Sequence, residues 1–351
     1  MASNEFLLYG ANGYTGKLIA RLASDYQLSP ILAGRNEQAL KELSAQTGFR
    51  YLCFSLEDKP SIEAALAEVP MVLLAAGPFI HTCRPVIKAC LKLGKHYIDI
   101  NGDIKCFEIV HGYHEAAREK QVMLLPGAGF DVIPTDCLAL KAKKLLPDAN
   151  ELKLAFANLG SMISHGTALT MAGKLGEGAS KRENGRIVSI PFGSTTMEVD
   201  FGVKKIKVMN ISWGDVFTAW YSTGIPNIET YAAAPRSMIN AMKYQQFFNW
   251  LLRTEFVRNI IRRKISKRAP GPDDEMLRNG KSFVWAQVKN PKGEKVTIRM
   301  EAAESYLLTA HGTLIITKKI LNGNFKPGFQ TPATCYGDGL IEEIPGTTLN
   351  V

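Results

Sequence analysis

The chain has 351 residues, 46% of them hydrophobic and 21% charged, a composition that supports an ordinary globular core and excludes disordered and fibrous classes. No apolar run reaches the ~18–20 residues of a bilayer span, and MASNEFLLYG lacks a basic region followed by a long apolar one, so a cytoplasmic, unexported protein is expected. The formal charge is +9, but residues 236–268 alone hold nine basic side chains against the single acid Glu255, which makes the imbalance one local feature.

Taken in chain order, short Val/Ile/Leu runs alternate with amphipathic stretches. Strands are predicted at 6–9, 31–33, 51–54, 72–76, 96–100 and 122–126. Helices are predicted at 15–24, 37–46, near 60–68, around 84–93, at about 107–119, and over 133–146. Continuous apolar runs separated by helices are what a parallel sheet covered on both faces requires, so the fold class is α/β, a Rossmann-type doubly wound parallel sheet. From about 147 the rhythm changes to strand-like segments at 152–157, 187–191, 197–200, 205–211, 283–288 and 295–302, which predicts a second, α+β domain. Asn290-Pro291-Lys292-Gly293 lies between two of these runs and reads as a hairpin turn. The domains expected are 1–146, completed by about 327–351 through a helix near Pro332, and 147–326.

The first strand is followed by Gly10-Ala11-Asn12-Gly13-Tyr14-Thr15-Gly16, and then a helix. Glycines permit the sharp turn, the approach of backbone to a diphosphate and close helix–strand packing, and the helix N-terminus offers N–H groups to the anion. The setting between a strand and a helix, inside repeated βαβ units, raises this spacing above a glycine-rich structural turn. A nucleoside-triphosphate P-loop is excluded, because five residues separate Gly10 from Gly16 and Leu18 stands where a Ser or Thr must be.

At the end of the second strand comes Leu32-Ala33-Gly34-Arg35-Asn36, with no acid before Glu37, so Arg35 favours a ribose 2′-phosphate and NADP over NAD. An Arg that only stacks on adenine is the alternative. Ala76-Gly77-Pro78, after the fourth strand, is the expected passage for the nicotinamide ribose.

Together GANGYTGKL, AGRN, AAGPFIHTCRPVIKAC, GKHYIDINGDI and PGAGFDVIPTDCLA resemble the saccharopine dehydrogenase-like oxidoreductases, including the trans-acting enoyl reductase branch. Segments 166–178, 222–231 and 328–340 extend the resemblance over nearly the whole chain. It implies a Rossmann domain binding NAD(P) and an inserted domain for substrate and often for dimerisation. The expected cofactor contacts are Gly10, Asn12, Gly13, Tyr14, Thr15, Gly16, Arg35, Asn36, Ala76, Gly77 and Pro78. The substrate does not carry over, since the scaffold supports unlike chemistries. One departure is Gly102-Asp103, where relatives read Gly-Glu.

For the chemistry beyond the cofactor, Asp131, His165 and Tyr221 are the candidates, each weighed against a structural role: helix cap, turn residue and core aromatic. Asp99 is read as ordering the loop after the fifth strand. The six cysteines form no CxxC pair and read as reduced thiols, and His111 with His114 makes at most half a zinc site, so no metal is expected. The sequence therefore points to an NADP-preferring oxidoreductase reducing a C=C or C=N bond, with a small-molecule or lipid-like substrate. An amino-acid-type dehydrogenase acting on a C–N bond and a non-catalytic NADP-binding protein that docks on membranes are the alternatives.

Residues 245–268 place Phe248, Leu252, Phe256 and Ile260 at four-residue spacing, with Phe247, Leu251 and Ile261 beside them and cations crowding the C-terminal half. A surface helix with a solvated basic face and a peripheral membrane contact are both open readings. Nucleic acid is not expected, because the aromatic residues do not alternate with the cations.

Overall fold

The structure is a computed structural model that describes residues 4–350, apart from the side chains of residues 236 and 241–247. Chain order in the first part is β1 (Glu5–Tyr9), α1 (Tyr14–Leu22), β2 (Ser29–Gly34), α2 (Glu37–Thr47), β3 (Tyr51–Cys53), α3 (Lys59–Ala67), β4 (Met71–Leu74), α4 (Phe79–Leu93), β5 (His96–Asp99), α5 (Ile104–His111), α6 (His114–Glu119) and β6 (Met123–Leu125). Next come α7 (Ile133–Leu145), β7 (Glu151–Leu159), α8 (His165–Gly173), β8 (Ala179–Glu183), β9 (Arg186–Ile190), β10 (Thr196–Asp200), β11 (Lys205–Asn210), α9 (Asp215–Thr223) and β12 (Asn227–Ala233). The remainder is α10 (Arg236–Leu252), α11 (Glu255–Ile265), α12 (Asp274–Asn279), β13 (Lys281–Lys289), β14 (Lys295–Ala303), α13 (Ser305–Leu321), β15 (Gly328–Phe329), α14 (Pro332–Tyr336) and β16 (Thr348–Asn350).

The chain forms two compact units, residues 1–133 with 306–336, and residues 134–305 with 337–351. In the first unit seven strands lie in the order β15-β6-β5-β4-β1-β2-β3, all parallel. Phe6, Leu8, Ile31, Leu32, Val72 and Leu73 are fully buried, as strands covered on both faces require. Each such side chain contributes roughly 2 kcal/mol by leaving water. Strand order reverses between β1 and β4, so the crevice at their carboxyl ends is the switch point where ligands bind in such sheets.

The second unit is built on a nine-stranded mixed sheet whose main path runs β10-β11-β12-β7-β13-β14-β16, with β8 on β12 and β9 on β8. The β13–β14 hairpin closes through Asn290 to Glu294 in the expected register, Lys289 opposite Lys295. Tyr231, Phe283, Trp285, Val208 and Phe201 form one core of this sheet.

Several boundaries differ from those expected. The first division falls at 133 instead of 146, because α7 packs with residues after 336: Lys141 pairs with Glu342 at 2.7 Å. The second falls at 305 instead of 326, since α13 belongs to the first unit. The tail does not return whole; β15 and α14 lie in the first unit, whereas β16 pairs with β14 in the second. The helix expected over 107–119 is two, because α5 ends in a cap at Gly112, a poor helix former. Likewise 245–268 is not one helix: α10 ends at Leu252 and Thr254 caps α11, accepting from Val257 N at 3.4 Å. Phe247 of the expected stripe lies outside the described residues.

Candidate functional site

The glycine turn is built by backbone. Gly10 N and Ala11 N both donate to Ala33 O, at 2.8 and 3.1 Å, tying the turn to β2, and Gly13 N closes it on Gly10 O at 3.0 Å. Gly10 has φ +91°, and a Cβ there would lie 2.7 Å from Ala75 C. At Gly16 a Cβ would come within 2.3 Å of Gly10 O. The turn thus lies flat between α1 and the end of β4. Gly13 precedes α1 with no side-chain cap, so its N-terminal dipole and N–H groups are not spent on a side chain. Such an arrangement can accept an anion. Asn12 reaches the end of β2: a Cβ on Gly34 would lie 2.7 Å from Asn12 Oδ1.

At that strand end Arg35 is exposed and near enough to Tyr9 to favour its ionised form. Burial outweighs this and raises the Tyr9 phenol, whose hydroxyl donates to Phe54 O at 3.0 Å. Asn36 is the N-cap of α2, accepting from Ala39 N at 3.1 Å, which commits its side-chain oxygen to the helix.

The turn after β4 adjoins the first. Ala75 N donates to Tyr9 O at 2.7 Å, and Thr82 Oγ1 donates to Ala76 O at 2.7 Å. Pro78, joined to Gly77 by a cis peptide, precedes α4 without a side-chain cap. Two turns of small residues, each opening an uncapped helix, therefore stand side by side at the carboxyl ends of adjacent strands.

The loops after β5 and β6 interlock through Asp99, which is fully buried. Its Oδ1 accepts from Asn101 N (2.9 Å), Asn101 Nδ2 (2.6 Å) and Gly127 N (3.0 Å), and its Oδ2 from the Tyr97 hydroxyl (2.5 Å). Burial raises the carboxyl above its ordinary value, and these donors oppose the rise. Asp99 orders the loop, as expected. Asp103 caps α5 by accepting from Lys105 N at 2.9 Å. Asp131, half-buried beyond β6, packs on Gly102, where a Cβ would lie 2.6 Å from its Oδ2.

Two residues of α13 join this unit without any signal in the sequence near the turn. The Tyr306 ring meets Tyr14 edge-on at 5.0 Å, and Thr309 Oγ1 accepts from Phe130 N at 3.0 Å beside Asp131. Only long-range folding brings them in.

In the second unit His165 opens α8, and its Nε2 donates to Arg268 O at 2.8 Å. Tyr221 lies on α9, its ring 4.9 Å from Phe217. It adjoins Arg182, which donates to Val216 O and stacks on Trp220. His114 Nδ1 accepts from Phe329 N at 3.0 Å and His111 faces the Phe329 ring, so both buttress β15 in the first unit.

Residues 6–125 match the family of saccharopine dehydrogenase NADP binding domains. The chain is 28% identical over 211 residues to a trans-acting enoyl reductase of Mycobacterium tuberculosis, covering 56% of this chain and 50% of that protein. To a saccharopine dehydrogenase-like oxidoreductase of Bos taurus it is 30% identical over 152 residues, 37% of this chain and 35% of that one. The chain thus spans about half the length of the enoyl reductase and about a third of the bovine protein. The apo saccharopine dehydrogenase (L-Glu forming) of Saccharomyces cerevisiae shares the fold over 99% of this chain and all of that one, with a TM-score of 0.67 at 12% identity. Residues 6–125 are accordingly similar to saccharopine dehydrogenase NADP binding domains, and the chain is similar over part of its length to saccharopine dehydrogenase-like oxidoreductases and trans-acting enoyl reductases.

Proposed function

We propose that the chain is an NADP-preferring oxidoreductase that reduces a C=C bond, or by the same logic a C=N bond, in a small or lipid-like substrate. The observation that carries this reading is the pair of uncapped turns at the ends of β1 and β4. Backbone N–H groups of Gly13 through Gly16 hold the diphosphate, and Arg35 pairs with the 2′-phosphate. The Ala76-Gly77-Pro78 turn has no bulky side chain to keep the nicotinamide ribose from the strand end. When bound, the nicotinamide supplies the hydride. Asp131 is the candidate for holding or moving the proton at the partner atom; within the second unit His165 and Tyr221 are the candidate substrate residues, and that unit is also the candidate for a homodimer contact. The C=C reading is supported by the name of the enoyl reductase relative.

Calorimetry with NADPH, NADP, NADH and NAD, followed by stopped-flow absorbance at the nicotinamide band with a panel of enoyl and imine substrates, tests the proposal. Tightest binding of the phosphorylated forms and oxidation of NADPH by an enoyl substrate are expected. Asp131→Asn should then lower kcat by about a hundredfold or more with cofactor affinity unchanged. Absence of any heat of binding overturns the reading. Turnover confined to amino-acid C–N substrates would favour the dehydrogenase alternative, and binding without turnover of either class a non-catalytic protein.

A further inference from the structure

The second unit turns large apolar side chains into solvent beside a cluster of cations. α11 packs on α8 through Ile261 and Ile265, which meet Ala168, Ala172 and Leu175. At 3.6 residues per turn this directs Phe256 and Ile260 away from the contact, and Phe256 is 74% exposed. Phe248, Phe256 and Ile260 of the four-residue spacing thus form an exposed row. α10 adds Phe248 and Trp250, the latter 71% exposed, and α8 adds exposed Leu169 and Met171.

The basic residues divide by role. Arg253 donates to Gly176 O at 3.0 Å and Arg258 to Leu175 O at 3.3 Å, fastening α11 and the end of α10 to the segment after α8. Arg262 pairs with Glu255 at 2.9 Å, which neutralises the one acid of the segment. Arg263, Lys264, Lys267 and Arg268 remain exposed. Arg263 and Lys264 fall one turn beyond Ile260, flanking the apolar row. Among the described residues no helix is long and apolar enough to cross a membrane, so this surface can lie on a bilayer and not span it.

We propose that this surface docks on an anionic lipid membrane, with Trp250 and Phe256 entering the boundary between headgroups and acyl chains while the four cations meet lipid phosphates and carboxylates. Charge complementarity selects this occupant: a second copy related by two-fold symmetry would set the same cations against themselves. Aromatic rings beside Arg and Lys are also the composition that interfacial helices use. The inference is independent of the cofactor reading, because it rests on the second unit alone.

Co-sedimentation of the full chain with vesicles tests it, using phosphatidylcholine alone and phosphatidylcholine with one third phosphatidylserine. Binding to the anionic vesicles only is expected, falling at least tenfold between about 0.15 M and about 1 M salt as screening shortens. Trp250→Glu with Phe256→Glu, and separately Arg263→Glu with Lys264→Glu, should each lower binding at least tenfold while circular dichroism and the thermal midpoint stay unchanged. Brominated lipid should quench tryptophan emission in the wild type and not in Trp250→Phe. Equal binding to neutral vesicles, or no response to either double variant, overturns the proposal. So does a dimer by light scattering that the apolar variant dissolves, which would make the surface a contact between copies, or binding to an acidic protein surface with none to lipid.

Discussion

Gly10 and Ala75 end neighbouring parallel strands so closely that a Cβ on the first would sit 2.7 Å from the carbonyl carbon of the second. That approach, with Ala75 N bonded to Tyr9 O at 2.7 Å, joins the two turns of the candidate site into one surface.

The same crowding makes the turn intolerant of side chains. Gly16→Ala would press a methyl to 2.3 Å from Gly10 O, and backbone on both sides cannot retreat. More than tenfold loss of NADPH affinity is expected by calorimetry, together with a destabilisation of roughly 2–3 kcal/mol. Lys17→Ala, on the exposed side of α1, is the control and should change affinity less than threefold.

Cofactor choice should follow the exposed guanidinium at the end of β2. Arg35→Ala removes a charge-assisted partner worth about 1.5–3 kcal/mol, so NADPH affinity should fall by about ten- to a hundredfold. NADH affinity should hardly move. An equal loss for both nucleotides would show that Arg35 contacts adenine instead of the 2′-phosphate.

Asp99 offers a contrast between two substitutions. Asp99→Ala strips the acceptor from three N–H groups and the Tyr97 hydroxyl, and unfolding in urea should show a loss of roughly 3–5 kcal/mol with an unchanged m-value. Asp99→Asn keeps an oxygen facing the three N–H groups and removes the cost of a buried charge. About 1 kcal/mol is expected for it.

His96 should make the first unit acid-sensitive. Burial pushes its imidazole down to about 4, and its Nδ1 accepts from Met123 N at 3.0 Å, which the protonated ring cannot do. The unfolded ring, with an ordinary value of about 6.5, binds a proton more readily than the folded one, so this stability is complete above that value. It is lost as pH falls from there through about 4, to at most roughly 3 kcal/mol. His96→Asn, whose Oδ1 can replace Nδ1, should flatten the thermal midpoint over that window.

Much of the first unit was legible in the chain. FLLY, the ILA run and VLLAA are strands because continuous apolar residues must be covered on both faces, and the glycine spacing after the first of them marks the turn. Asn36 and Asp103 were harder: short polar residues at a helix start serve the helix or a ligand equally well, and only the hydrogen bonds to Ala39 N and Lys105 N show the cap. The stripe at 248–260 left its direction open for a related reason. Four-residue spacing gives a face but not its direction, and Ile261 and Ile265 took the core side.

Local pattern alone therefore determined the doubly wound sheet, the glycine turn and the cation at the end of β2, since each depends on residues adjacent in sequence. Tertiary structure decided which helix completes which unit, the place of Tyr306 beside Tyr14 almost three hundred residues upstream and of Thr309 beside Phe130, and the outward turn of Phe256. Those outcomes depend on which distant surfaces meet, and the energy of such contacts is set by packing between segments that carry no record of one another in their own order of residues.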